Sequence, residues 1–175
     1  MKRMQLQSGT TLVEALITVL LFTMLFGAAV AVLLSGSDSW QVNSVMAELQ
    51  QERRKAVEWM KEDLLQGGYS TITNVPADGV WYTTITFNTS AGVSGGNITW
   101  STNTVRFLLG GSGSTELQKV SGSTTKVIAE DIHTLQFRRQ STTPSVVEVS
   151  LTAQKNTLKG ATLSATTTFK VKMRN

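Results

Sequence analysis

Few residues in this chain could do chemistry, and they are scattered. Glu130, Asp131 and His133 lie close together. If that stretch is a strand, Asp131 and His133 fall two apart on one face and would offer a cation a carboxylate and an imidazole. Two ligands do not close a metal site, and a lone histidine beside a strand is ordinarily a hydrogen-bonded structural residue, so no metal is expected. Ser112 and Ser114 lie in a glycine-rich run with no partner base evident nearby, which leaves a serine nucleophile without activation. The run Gly110-Gly111-Ser112-Gly113 lacks the Gly-Lys-Ser/Thr ending and the following helix of a phosphate loop. With no cysteine and a single histidine, the chain is read as non-enzymatic, with no cofactor.

The carboxylate that most needs explaining is Glu14. From Ala15 to Ser37 no side chain is charged, and as a helix this run would extend about 34 Å, enough to cross a hydrocarbon core. It is too long for the apolar region of a cleaved secretory signal. Lys2 and Arg3 precede it, an arrangement that keeps the N-terminal side cytoplasmic and exports the chain beyond the span. A carboxylate at the start of such a span is costly without a partner, so Glu14 points to a specific one.

Around it the sequence reads Ser8-Gly9-Thr10-Thr11-Leu12-Val13-Glu14-Ala15-Leu16. Together with the basic leader and the apolar run, this string resembles the type IV pilin and type II secretion pseudopilin family. The resemblance implies cleavage by a prepilin peptidase between Gly9 and Thr10 and N-methylation of Thr10. It also makes Glu14 the filament-assembly carboxylate, matched in a low-dielectric layer by the α-ammonium of a neighbouring subunit. The family most often has Phe at the first mature position, where this chain has Thr10.

Behind the span, Trp40 to Leu65 has neither Pro nor Gly, and Val42, Val45, Met46, Leu49, Ala56, Val57, Met60 and Leu64 recur at helical spacing. This predicts an amphipathic stem, its stripe packing under a sheet, with Gly67-Gly68 closing it through a left-handed glycine. The net charge is +4, two of those charges being Lys2 and Arg3. The dense basic cluster Arg53, Arg54 and Lys55 is interleaved with acids, so no nucleic-acid partner is expected.

From Val80 the period changes to two. Strand-like pieces are expected around Trp81 to Phe87, at Asn97 to Ser101, in a hairpin of Asn103–Leu109 with Thr115–Val120, and then at Lys126–Ile128, His133–Arg139, Val146–Ala153 and Thr166–Met173. The fold class is α+β and pilin-like: a long N-terminal hydrophobic helix packed on an antiparallel sheet head. Its parts are a leader (1–9), a membrane or filament-core helix (10–37), a stem (38–66) and a β-rich periplasmic head (67–175).

The order of the runs Val105–Leu109, Val127–Phe137 and Val147–Ala153, followed by Met173-Arg174-Asn175, is similar to the minor pseudopilin J and minor pilin W subgroup. That likeness implies a minor subunit, anchored in the bacterial inner membrane lipid by a single pass, which helps initiate or cap a pilus or pseudopilus. Its implied partners are the prepilin peptidase, other minor pilins or pseudopilins, and the major subunit. Two other readings stay open: a major pilin with an adhesive or DNA-uptake role, and an exported binding domain on a plain signal anchor.

Overall fold

The computed structural model describes residues 11–174. One helix, α1 (Leu12–Gln66), is followed by a 3-10 turn (Tyr69–Thr71) and seven strands: β1 (Ile85–Ser94), β2 (Asn97–Gly110), β3 (Glu116–Ser121), β4 (Thr124–Ala129), β5 (Ile132–Gln140), β6 (Thr143–Asn156) and β7 (Thr162–Lys172). The described residues divide into two compact units between Asn43 and Ser44. In the first, α1 is apolar and no residue from Thr11 to Asn43 is buried.

In the second unit the α+β class is observed, with α1 packed on antiparallel sheets. A single sheet was expected, and there are two: β1-β2-β3-β4 and β5-β6-β7, every pairing antiparallel. The chain changes sheets at Asp131, whose backbone is left-handed (φ 58°). That conformation is costly for a non-glycine residue and breaks the run between β4 and β5.

The stem delivers Leu49, Ala56, Met60 and Leu64 to the core at helical spacing. They meet Ile85 and Phe87 of β1, Val105 and Phe107 of β2, and Leu117 of β3. From the other sheet come Leu135 and Phe137 of β5 and Val147, Val149 and Leu151 of β6. Strand alternation places these on single faces, and register stacks them: Phe87 opposes Val105, and Phe137 opposes Val149, which opposes Phe169. Both sheets and the stem thus share one core.

Polar contacts fix the stem's position. Buried Asp63 accepts a hydrogen bond from Lys119 of β3 at 2.8 Å through Oδ1, and the ammonium also lies 2.6 Å from Oδ2, which accepts no hydrogen bond of its own. Lys155 of β6 reaches Glu48 at 2.7 Å and Asp131 at 3.0 Å. These two hydrogen bonds, Glu48 first, raise the Lys155 pKa above the ordinary lysine value. Glu52 pairs with Lys55 at 2.6 Å and also accepts the backbone N–H of Glu130 at 3.1 Å.

The helix ends where the glycines are, for a different reason from the one expected. Neither Gly67 nor Gly68 has positive φ; Gly68 is extended (φ −87°, ψ 124°). A Cβ on Gly67 would lie 2.5 Å from the Phe87 ring, and one on Gly68 would lie 2.7 Å from Trp100. The pair is there for close approach of backbone to aromatic side chains. From it, backbone bonds run to both sheets: Gly68 N–H to Asn88 O, Arg174 N–H to Gly67 O, and Tyr69 N–H to Arg174 O.

The connection from Thr71 to Thr84 lies along β1 and β5. Asn74 accepts from Thr86 N–H at 2.7 Å and donates to Thr84 O at 3.0 Å. Trp81, expected in a strand, lies outside β1, and its neighbour Tyr82 instead forms a reciprocal bridge with Phe137. The Tyr82 hydroxyl donates to Asp78 at 2.6 Å, holding the Asp78 carboxyl below its usual pKa and the phenol above its own. Buried Arg139 donates to Pro144 O at 2.7 Å and Val75 O at 3.0 Å, and burial lowers its pKa from the arginine value.

Candidate functional site

The residues singled out for function fall in two places. Gly9 and Thr10 lie outside the described residues. Glu14 stands in the first turn of α1. Its carboxylate accepts from the Thr11 N–H at 3.0 Å and from the Thr11 hydroxyl at 3.3 Å, while Thr11 Oγ1 accepts from the Glu14 N–H at 3.3 Å. This is a capping box, in which a Thr and a Glu three residues on satisfy each other's orphan backbone donors. Glu14 therefore has a partner within its own chain, which the sequence reading missed. The Thr-x-x-Glu spacing ahead of an apolar run would have given it away.

After Glu14 the helix surface is lipid-like. Leu16, Phe22, Leu25, Phe26, Leu33 and Leu34 are all exposed, Leu25 at 71%. Phe22 and Phe26 stack one turn apart with centroids 6.3 Å apart. Thr18 and Thr23 donate their hydroxyls to backbone carbonyls of the preceding turn, at 2.7 and 2.8 Å, which hides their polarity from the surroundings. The helix is long and apolar enough to cross a membrane or to serve as a signal anchor.

In the head, Asp131 and His133 do not share a strand face. Asp131 precedes β5 in its left-handed conformation and is paired with Lys155, while His133 is exposed on β5. Among the described residues no group of three or more His, Cys, Asp or Glu comes together in a way that could hold a metal ion. Ser112 to Ser114 form a 3-10 turn joining β2 to β3, with Gly111 and Gly113 at positive φ. A cleft of about 290 Å³ between Leu108–Leu109 and His133–Gln136 is lined by Thr, Leu, Gln and that one His. His133 is the one titratable side chain among the residues that line it.

No family model, curated protein or solved structure matches the chain.

Proposed function

We propose that this protein is a minor pilin or pseudopilin, matured between Gly9 and Thr10, that helps initiate or cap a thin filament. The observation that carries the reading is Glu14, the one charged side chain from Thr11 to Ser37, at the head of the fully exposed apolar stretch of α1 and four residues after a Gly9-Thr10 junction and a basic leader. A helix surface of this kind needs lipid before assembly and other helices after it. Lys2 and Arg3 favour a single inner-membrane pass with the head exported to the periplasm. Its partners are then the prepilin peptidase, the other minor subunits and the major subunit, and its work is assembly rather than catalysis.

The capping box sets the terms for testing Glu14. Glutamine also serves at that position of the motif, so Glu14→Gln keeps the cap and removes the charge. The expected outcome is unchanged helix content by circular dichroism and loss of incorporation into filaments. Normal incorporation would confine Glu14 to capping. Cleavage is read separately, from the N-terminal sequence and intact mass after co-expression with a prepilin peptidase. A chain that starts at Thr10 supports the proposal. A chain that keeps Gly9 makes the protein an exported binding domain on a plain anchor.

A further inference from the structure

Two hairpin turns of the head lie at opposite ends of the stem. β7 runs alongside the stem in the same direction: Arg53 reaches Thr166 O, the Lys61 ammonium lies 5.3 Å from the Phe169 ring centroid, and Gly68 bridges Arg174 in parallel. The turn between β6 and β7 therefore lies at the stem's N-terminal end, where Lys155 meets Glu48. The turn between β1 and β2, from Ser94 to Asn97, lies beyond the Gly67–Thr89 bridge at the other end. From Thr166 back to Ala161 a strand covers about 16 Å, and from Arg53 back to Ser44 a helix covers about 14 Å. The β6–β7 turn is thus level with Ser44, where the stem leaves this unit.

This turn is tightly held. Thr157 is buried; its N–H donates to Ala161 O at 2.8 Å, its carbonyl accepts from Gly160 N–H at 2.9 Å, and its hydroxyl accepts from Ala161 N–H at 3.1 Å. Gly160 takes the left-handed conformation (φ 79°) that closes the loop. What the bonded loop presents is Leu158, which at 90% is the most exposed large hydrophobic side chain among the described residues. A lone exposed leucine is common on protein surfaces. Its place sets this one apart. Ser44 stands seven residues after Ser37, where the uncharged run ends, and that is about 10 Å of helix. Trp40, 74% exposed, falls between them, and tryptophan settles at the headgroup level of a bilayer.

We propose that the β6–β7 turn is a second lipid contact, in which Leu158 dips into the headgroup layer of the bilayer that holds α1. This contact requires α1 to lie in a bilayer, as the proposed function has it. Chain connectivity then keeps the turn close to that surface. The contact is intramolecular, so one leucine suffices where a free loop would not stay bound. The head is thereby held to the membrane in one orientation before it enters a filament. The β1–β2 turn carries an exposed valine, Val93, at the far end of the stem from Ser44 and serves as the control.

The chain has no cysteine, so a single introduced cysteine carries a label at one known position. Full-length Leu25→Cys, Ala161→Cys and Ser94→Cys are labelled with an environment-sensitive fluorophore and placed in vesicles of phosphatidylethanolamine and phosphatidylglycerol. Lipids brominated deep in the acyl chain or close to the headgroup act as quenchers. The Leu25 label is quenched by the deep bromines, the Ala161 label by the shallow ones, and the Ser94 label by neither. Leu158→Gln, an exposed change that leaves urea unfolding of the head where it was, abolishes quenching at Ala161 and spares it at Leu25. Quenching at Ala161 no greater than at Ser94, or unchanged by Leu158→Gln, overturns the proposed contact while α1 stays in lipid. An unquenched Leu25 label overturns the membrane reading itself and the contact with it.

Discussion

From Leu12 to Asn43 and from Ser44 to Gln66 the helix α1 has one continuous backbone, yet its side chains meet opposite surroundings. The first stretch buries nothing, although it is the most apolar part of the chain; the second buries Leu49, Ala56, Met60 and Leu64 completely while carrying nearly all of the helix's charge. Hydrophobicity and burial are thus inversely arranged along a single element. A helix that is apolar all round finds its partner outside the protein, in lipid or in other helices, whereas an amphipathic one finds it within its own domain.

Three sets of substitutions put that contrast at risk, beginning with the largest effect. Phe107→Ala empties the centre of the shared core and should cost about 3–5 kcal/mol in urea unfolding of the head. Phe22→Ala removes an equal ring from the first stretch and should leave that unfolding midpoint where it was. An equal loss from both would mean that the apolar stretch packs on the head after all.

The glycines give a second, smaller contrast. Gly67→Ala drives a methyl group into Phe87 and Met173 and should cost about 1–3 kcal/mol. Gly27→Ala and Gly36→Ala meet nothing within 4 Å and should raise helix content in micelles, by about 1 kcal/mol of propensity each. A neutral Gly67→Ala would show that the stem's end yields.

The smallest effect is electrostatic. Because the folded state raises the Lys155 pKa, its contribution is fully present below the ordinary lysine value of about 10.4 and is lost as pH rises through the folded one. The side chain is 32% exposed, so the loss should be at most about 1 kcal/mol and should vanish in Lys155→Met. A parent and a variant with identical stability-against-pH curves above pH ~10 would remove Lys155 from the account of how the stem is held.

Periodicity revealed what is local. The spacing of Leu49, Ala56, Met60 and Leu64 placed the stem, and the alternation of Val147, Val149 and Leu151 placed β6 and its inward face. It joined less well where strands bend: the pieces at Asn97 and Asn103 are one strand, β2, whose β1 partner carries the register shifts. The division into two sheets was illegible, because alternation tells which face is buried and not which strand pairs with which. Gly67-Gly68 marked the right place with the wrong cause, since a sequence does not show an aromatic ring arriving from another strand. At the candidate site, Glu14 was legible as an anomaly, while its bond to Thr11 was overlooked although both residues stand in plain view.

The backbone bonds around Gly67 and Gly68 have a mechanical meaning. Tension applied along α1 meets the head first through the packed stem, by Leu49, Ala56, Met60 and Leu64 in the core and the Glu48–Lys155 pair. What load reaches the end of the helix is shared there, where one bond leads to Asn88 in β1 and two engage Arg174 just beyond β7. The last turn of the stem is thus moored to both sheets at one point rather than hung from a single strand.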